Sequence, residues 1–219
     1  MSNVTKYFDI YAQDYDQLVT QKYKYAAPQK FSKLIAQFKS TDAPLEALDL
    51  GCGTGLISEI IRQHTTANIT GADISSIMLE IAKSKGTIDK DICLDVSKNQ
   101  LPFEDEKFHI SVSSGLFEYI NDPYFAIEEI CRVTKSGGLV AFTTQSSRHF
   151  IDHMRRVLGT LFKKLSGKKI QTISEYYHST DRIFNLLQEN NILNIKMETF
   201  TAYYHKGPVR YHLFTGDKG

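Results

Sequence analysis

The sequence predicts an α/β protein built on a doubly wound, seven-stranded, mostly parallel sheet, with helices on both faces and an antiparallel C-terminal hairpin strand. Three observations predict it. Short apolar runs alternate with helical patterns up to about residue 145. At one junction, Leu48 to Leu56, the chain reads L-D-L-G-C-G-T-G-L and passes from strand to helix through three alternating glycines. Near the C-terminus, Ile195 to Ala202 and Val209 to Thr215 are β-rich runs around Lys206-Gly207-Pro208, and a short turn between strands makes them antiparallel.

The elements follow in order. Phe31, Leu34, Ile35 and Phe38 form one helical face, and Pro44 separates that helix from a strand over Leu45 to Leu50. Ile57, Ile60 and Ile61 mark the helix after the glycine turn, and Ala67 to Ala72 is a second strand ending at Asp73. Ile77, Met78, Ile81 and Ala82 predict a helix with Ser75 or Ser76 as N-cap. A third strand, Ile92-Cys93-Leu94, ends at Asp95, and a fourth runs from Phe108 to Ser113. Ala126, Ile127, Ile130 and Val133 give a helix that stops at Gly137-Gly138, before a fifth strand over Leu139 to Thr144. Arg182 to Asn190 is helical. Length suits a single domain over residues 1–219, with a helical cap over 1–40 and a helical insertion over 146–180 as a substrate lid.

Composition excludes several classes of function. Lys plus Arg is 26 and Asp plus Glu is 25, so no global charge points to nucleic acid, and none is expected as a partner. The N-terminus shows no secretory pattern, and no apolar run reaches the ~18 residues that span a bilayer. Cys52, Cys93 and Cys131 have neither disulfide nor metal-ligand spacing, which suits a cytoplasmic protein without a metal.

The glycine turn lets a ligand lie against bare backbone amides. A dinucleotide fingerprint would place its third glycine at residue 56, which is Leu. The G-x-G-x-G pattern, with Asp49 two residues before Gly51, resembles motif I of the class I S-adenosylmethionine (SAM) dependent methyltransferases. Leu101-Pro102-Phe103 with Asp105 and Phe108 resembles the family's L-P-F-x-D-x-x-F-D stretch, with His109 in place of the second acid. Arg132-Val133, Lys135 and Gly137-Gly138 resemble its R-V-L-K-P-G-G stretch, with Ser136 in place of Pro. A parallel sheet ending in a hairpin is also the family's arrangement, and it counts against a nicotinamide domain.

The resemblance implies SAM as cofactor. Asp73 then binds the ribose diol, Asp95 the adenine amine, and Val96 donates from its backbone, with Ile74, Met78 and Ser114 nearby. Asp49, Gly51, Cys52, Gly53 and Gly55 lie along the methionine end. Each carboxylate also has a purely local reading: Asp49 orienting the loop, Asp73 capping the helix near Ser75, Asp95 starting a turn.

The opening from Tyr7 to Asp16 resembles the F-D-x-x-A-x-x-Y-D start of many small-molecule methyltransferases, a helix over the cofactor. Tyr7 and Phe8 are expected to pack that helix onto the sheet, while Tyr15 is a candidate contact sharing a face with Tyr11. Glu118 and Tyr119, after the fourth strand, are candidates for base or acceptor contact, as is His178. The Ser113 to Tyr119 stretch lacks the N-P-P-Y form of enzymes acting on amide or base amines. Arg148 to Lys169 combines an apolar helical face with a basic polar one: a core-packed helix, a lid, or a peripheral membrane contact. The expected reaction is methyl transfer to an O, N or C acceptor on a small molecule, mainly through proximity and orientation. Alternatives are a lipid or quinone precursor at a membrane surface, or a SAM-binding partner subunit without turnover.

Overall fold

The computed structural model describes residues 3–40, 43–146, 175–204 and 207–219. The expected helix over 148–169, and with it most of the expected insertion over 146–180, lies outside the described residues. Among the described residues no helix is long and apolar enough to cross a membrane.

Strands β1 (Leu45–Leu50), β2 (Ala67–Asp73), β3 (Lys90–Cys93), β4 (Phe108–Ser113), β5 (Thr134–Gln145), β6 (Ile192–Tyr204) and β7 (Gly207–Lys218) form one sheet in the order β3-β2-β1-β4-β5-β7-β6. Pairings along β3-β2-β1-β4-β5 are parallel, and β7 is antiparallel to both neighbours. Strand order reverses between β1 and β4, which opens a crevice beyond their carboxyl ends, where ligands bind in such sheets.

Alternation along the strands divides the core. Leu45 and Ala47 face the same side as Phe31 and Ile35 of α2 (Ala27–Gln37), Ile57 and Ile61 of α3 (Leu56–His64), and Leu79 and Ala82 of α4 (Ser76–Ser84). Leu48 and Leu50 face the opposite side, with Ala126, Ile127 and Ile130 of α5 (Tyr124–Arg132) and Ile183, Leu186 and Leu187 of α6 (Thr180–Glu189). Each helix buries a stripe at its own period, so both faces of the sheet are dry.

Several boundaries differ from those the sequence suggests. The third strand is Lys90–Cys93, shifted by the pairing Asp73↔Cys93. Helix α5 ends at Arg132, and β5 already pairs at Thr134 with Phe108 before a bulge. Gly137-Gly138 therefore belongs to that bulge, not to a helix stop. A β-carbon at Gly138 would stand 2.8 Å from the Lys135 carbonyl oxygen and 2.9 Å from that of His109. Arg132 explains the L-P-F and R-V stretches together. It donates to Glu129, to the Asp105 carboxylate at 2.6 Å, and to the carbonyls of Leu101 and Phe103. One guanidinium thus fixes the loop before β4 to the end of α5.

The N-terminal segment is α1 (Asn3–Tyr11), a 3₁₀ turn (Ala12–Asp14), a short helical turn (Tyr15–Gln17) and a wide π turn (Leu18–Lys22). The tight turn breaks the period between Tyr11 and Tyr15, so the shared helix face is corrected: Tyr11 is exposed, and Tyr15 turns toward the crevice.

Candidate active site

A cavity of about 220 Å³ opens at the switch point. Its wall includes Leu50, Gly51 and Gly53 from the end of β1, Asp73 and Ile74 from the end of β2, Met78 of α4, and Leu94 to Lys98 beyond β3. Ser114 to Leu116, Tyr119 and Ile120 follow β4, while Val4, Phe8 and Tyr15 cover it from the N-terminal segment. Of the residues expected from sequence, Tyr15, Gly51, Gly53, Asp73, Ile74, Met78, Asp95, Val96, Ser114 and Tyr119 meet in this wall. Phe8 is a correction. It was expected only to pack, yet it lines the cavity with its ring 5.1 Å from Tyr119 and 6.2 Å from Tyr15.

Asp73 is the hub of the site. Oδ2 accepts the Gly53 amide at 2.9 Å, and Oδ1 accepts the Ser75 amide at 2.8 Å. Burial raises its carboxyl above the usual range, while the amides of Ser75, Gly53 and Ile74 work against the shift. The helix cap expected of this region is Ser75, whose Oγ accepts from Met78 and donates to Asp9 at 2.6 Å.

Asp95 accepts from the Ser97 amide and hydroxyl and from Lys98 Nζ at 2.7 Å. Partial burial disfavours its charge, but the Lys98 and Ser97 hydrogen bonds prevail and hold it below the ordinary carboxylate range. The turn reading of Asp95 thus coexists with a place in the cavity wall, whereas Asp73 does not cap α4: Ser75 does, and Asp73 accepts the Ser75 amide.

The glycine turn departs from expectation in one respect: its amides are not bare. Gly51 and Cys52 donate to the Ala72 carbonyl at 2.7 and 3.1 Å, Gly53 to Asp73, and Gly55 to the Cys52 carbonyl at 2.9 Å. What the turn offers a ligand is close approach, not donors. Gly53 has φ +53°, and a β-carbon there would point toward Tyr15 Cε1 at 3.8 Å, into the space between turn and cap.

Asp49, Cys52 and Gly55 stand behind the wall. Asp49 is buried and accepts the Ser58 amide at 3.0 Å and hydroxyl at 2.7 Å, joining β1 to the first turn of α3. Burial pushes its carboxyl up to about 7 against those two hydrogen bonds. Cys52 turns its sulfur toward Gly71, where an added β-carbon would meet it at 2.8 Å. A β-carbon on Gly55 would collide with Thr87.

His178 is corrected as a candidate base. Its Nε2 donates to the Phe117 carbonyl at 2.9 Å, it is buried, and it is not part of the cavity wall. Glu118 lies one layer behind the wall, 3% exposed, with burial pushing its carboxyl up to about 8. Tyr25 is a residue that sequence reasoning missed. Its hydroxyl meets Thr143 Oγ1 at 3.0 Å and Ser114 Oγ at 3.2 Å, and Thr143 also accepts the Gly115 amide. Only the 12-residue length of β5 carries Thr143 to that point.

The N-terminal cap is pinned at two points. Asp9 holds Ser75, while Asp16 accepts from Thr54 Oγ1 and pairs with Lys85 Nζ at 2.7 Å.

A family model described as a methyltransferase domain matches residues 48–142. The chain is 25% identical over 208 residues to malonyl-(acyl-carrier protein) O-methyltransferase of Priestia megaterium, covering 91% of this chain and 74% of the relative. It is 41% identical over 151 residues to the protein of the same description in Buchnera aphidicola subsp. Baizongia pistaciae, covering 69% of this chain and 51% of the relative. Against that second relative the chain spans about half the length. Magnesium protoporphyrin IX methyltransferase from Synechocystis PCC 6803, solved with S-adenosylhomocysteine (SAH) bound, superposes with a TM-score of 0.70 at 15% identity, over 99% of this chain and 98% of that one. At that identity the likeness speaks for the fold. Family model, relatives and sheet order together make this chain a class I, Rossmann-like SAM-dependent methyltransferase.

Proposed function

We propose that the cavity at the β1/β4 switch point is the SAM site and that its outer end receives a small-molecule acceptor. The observation that carries the reading is the Asp73 carboxylate, held by the Gly53 and Ser75 amides at 2.9 and 2.8 Å with its edge in the cavity wall. Such a carboxylate, oriented before any ligand arrives, suits a ribose diol, because charged acceptors bind hydroxyls more strongly than neutral ones.

The other wall residues fit the remaining parts of SAM. Ile74, Met78, Leu94 and Val96 offer an apolar slot for a purine, with Asp95 at its edge. The turn at Gly51 and Gly53 leaves room for the amino acid portion. Phe8, Tyr15 and Tyr119 bring aromatic rings to the wall, and an aromatic face turned to a cationic sulfur would favour its charge.

SAM, when bound, supplies a methyl group already activated by its sulfonium. The task left to the protein is placement: to hold an acceptor in line, exclude water and accept a proton where the acceptor carries one. Ser114, Leu116 and Tyr119 stand where an acceptor would approach. Ser114 is itself fixed by Tyr25, so its hydroxyl is positioned from below.

The test is release of SAH from SAM with matched carboxylic, phenolic and amine acceptors, run on wild type and on Asp73→Asn. Turnover with one acceptor class, reduced at least tenfold in the variant at limiting SAM, is expected. Turnover in the variant equal to wild type would place the cofactor elsewhere.

A further inference from the structure

Ser114 stands in the cavity wall with its hydroxyl already engaged from behind. Three residues far apart in the chain meet there. Tyr25, just before α2, is buried with its ring against Phe200 and Tyr211, at centroid distances of 5.5 and 5.0 Å. Its hydroxyl lies 3.0 Å from Thr143 Oγ1 on β5 and 3.2 Å from Ser114 Oγ beyond β4. Thr143 is fully buried and also accepts the Gly115 amide at 2.9 Å.

The count of hydrogens gives this chain of hydroxyls a direction. A hydroxyl has one hydrogen to donate and two lone pairs with which to accept. Among the described residues Thr143 Oγ1 has two partners, and one of them, the Gly115 amide, can only donate to it. The Thr143 hydrogen therefore goes to Tyr25; pointed anywhere else it is buried unpaired, at a cost in free energy. Only one hydrogen fits between two oxygens, so the Tyr25 hydrogen turns to Ser114. Burial raises the Tyr25 hydroxyl well above its ordinary value, which keeps that hydrogen in place. Ser114 Oγ accepts it, and the hydrogen of Ser114 itself is left over at the cavity wall.

We propose that Tyr25 is a positioning residue that presents the Ser114 hydroxyl as a hydrogen-bond donor. That donor selects a methyl acceptor with an oxygen lone pair beside the reacting atom, as in a carbonyl, a carboxylate or a phenolate. The proposal rests on the SAM reading of the cavity and names the acceptor class for it. Direction decides the selection, because an ammonium group has no lone pair to receive the Ser114 hydrogen. It can only donate to Ser114, which leaves the serine hydrogen unpaired or reverses the chain and strands the buried hydrogen of Thr143. Tyr25 stands behind Ser114 and outside the cavity wall. Its effect passes through the serine hydroxyl, held in one orientation before the acceptor arrives.

Three SAH analogues with nitrogen in place of sulfur test this by binding alone. Their short arms end in a ketone, in the alkene of the same shape, or in an ammonium group. Calorimetry on wild type should find the ketone arm roughly tenfold tighter than the alkene arm. Tyr25→Phe keeps the buried ring. It should cut that ratio several-fold, leave SAH within about twofold and leave the ammonium arm no weaker. Ser114→Ala should abolish the ratio, and adding Tyr25→Phe to it should change the ratio no further, because the two hydroxyls act as one unit. Thr143→Val should lose the preference and Thr143→Ser should keep it, and this pair decides if Tyr25→Phe does not fold. A ketone arm no tighter than the alkene arm in wild type overturns the proposal. So does an unchanged ratio in Tyr25→Phe, an equal loss of all three arms, a further fall in the double variant, or equal ratios in the two Thr143 variants. If SAH itself does not bind wild type, it is the SAM reading that fails.

Discussion

Asp73 reaches back from the end of β2 to the glycine turn at the end of β1, its Oδ2 accepting the Gly53 amide at 2.9 Å. One side chain thus sets both the acidic edge of the cavity and the shape of its glycine wall. Asp73→Asn keeps the shape of the side chain but loses the charge and one of the two acceptors for the Gly53 and Ser75 amides. SAM affinity should fall roughly ten- to a hundredfold, or about 1.5 to 3 kcal/mol. Calorimetry on a variant of unchanged melting temperature checks this; an unaltered dissociation constant would remove Asp73 from the ribose.

Gly53 and Gly55 separate binding from folding. Both have positive φ, +53° and +84°, but an added β-carbon meets only Tyr15 at 3.8 Å in the first case and collides with Thr87 Oγ1 in the second. Gly53→Ala should cost about 1 kcal/mol of stability and most of the SAM affinity. Gly55→Ala should cost more than ~2 kcal/mol of stability, since Thr87 is itself buried. Paired denaturation and binding curves distinguish the two, and the reverse ranking would contradict the placement of the turn.

Asp49 should leave a signature in pH. Burial holds its carboxyl near about 7 in the folded chain, above the ordinary value of roughly 4 in the unfolded one. The folded state therefore keeps a proton that the unfolded state has lost. Its contribution to stability is full below roughly pH 4 and disappears as pH rises through about 7. Glu118, pushed up to about 8, acts in the same direction. Asp49→Asn can still accept from Ser58 and should shrink the stability lost between pH 5 and 8 by on the order of 1–3 kcal/mol. An identical pH slope in denaturant titrations of both proteins would mean that Asp49 stays charged.

The cap over the cavity hangs on Asp9 and Asp16. The Lys85–Asp16 pair is partly exposed and contributes little to stability, but Asp9 shares the hydroxyl that caps α4. Asp9→Ala should accelerate hydrogen exchange over residues 3–17 and weaken SAM binding a few-fold through faster release. Unchanged exchange would show that Phe8 and Tyr15 hold the cap without it.

Much of the sheet is legible in the sequence because parallel strands buried on both faces read as apolar runs, as in Leu139 to Phe142. The bulge at Gly137-Gly138 is not, since glycines after a helix pattern read equally as a stop. Asp73, Asp95 and Ser114 reach the cavity wall because each ends or follows a strand that the sequence shows, while the parts assigned to Asp73 and Asp95 come from the family resemblance. The commitment of the turn amides is hidden, as it depends on the carbonyl of Ala72 on a neighbouring strand. Tyr25 and Thr143 are 118 positions apart and meet only through the fold, and no local pattern marks Glu118 as buried.

The most direct test of the account is a crystal structure with SAH. It predicts both ribose hydroxyls on Asp73, adenine between Ile74, Met78 and Val96 with its amine toward Asp95, and sulfur facing Ser114 and Tyr119. SAH seated with its ribose away from Asp73, or with its sulfur turned from the β4 loop, would contradict it.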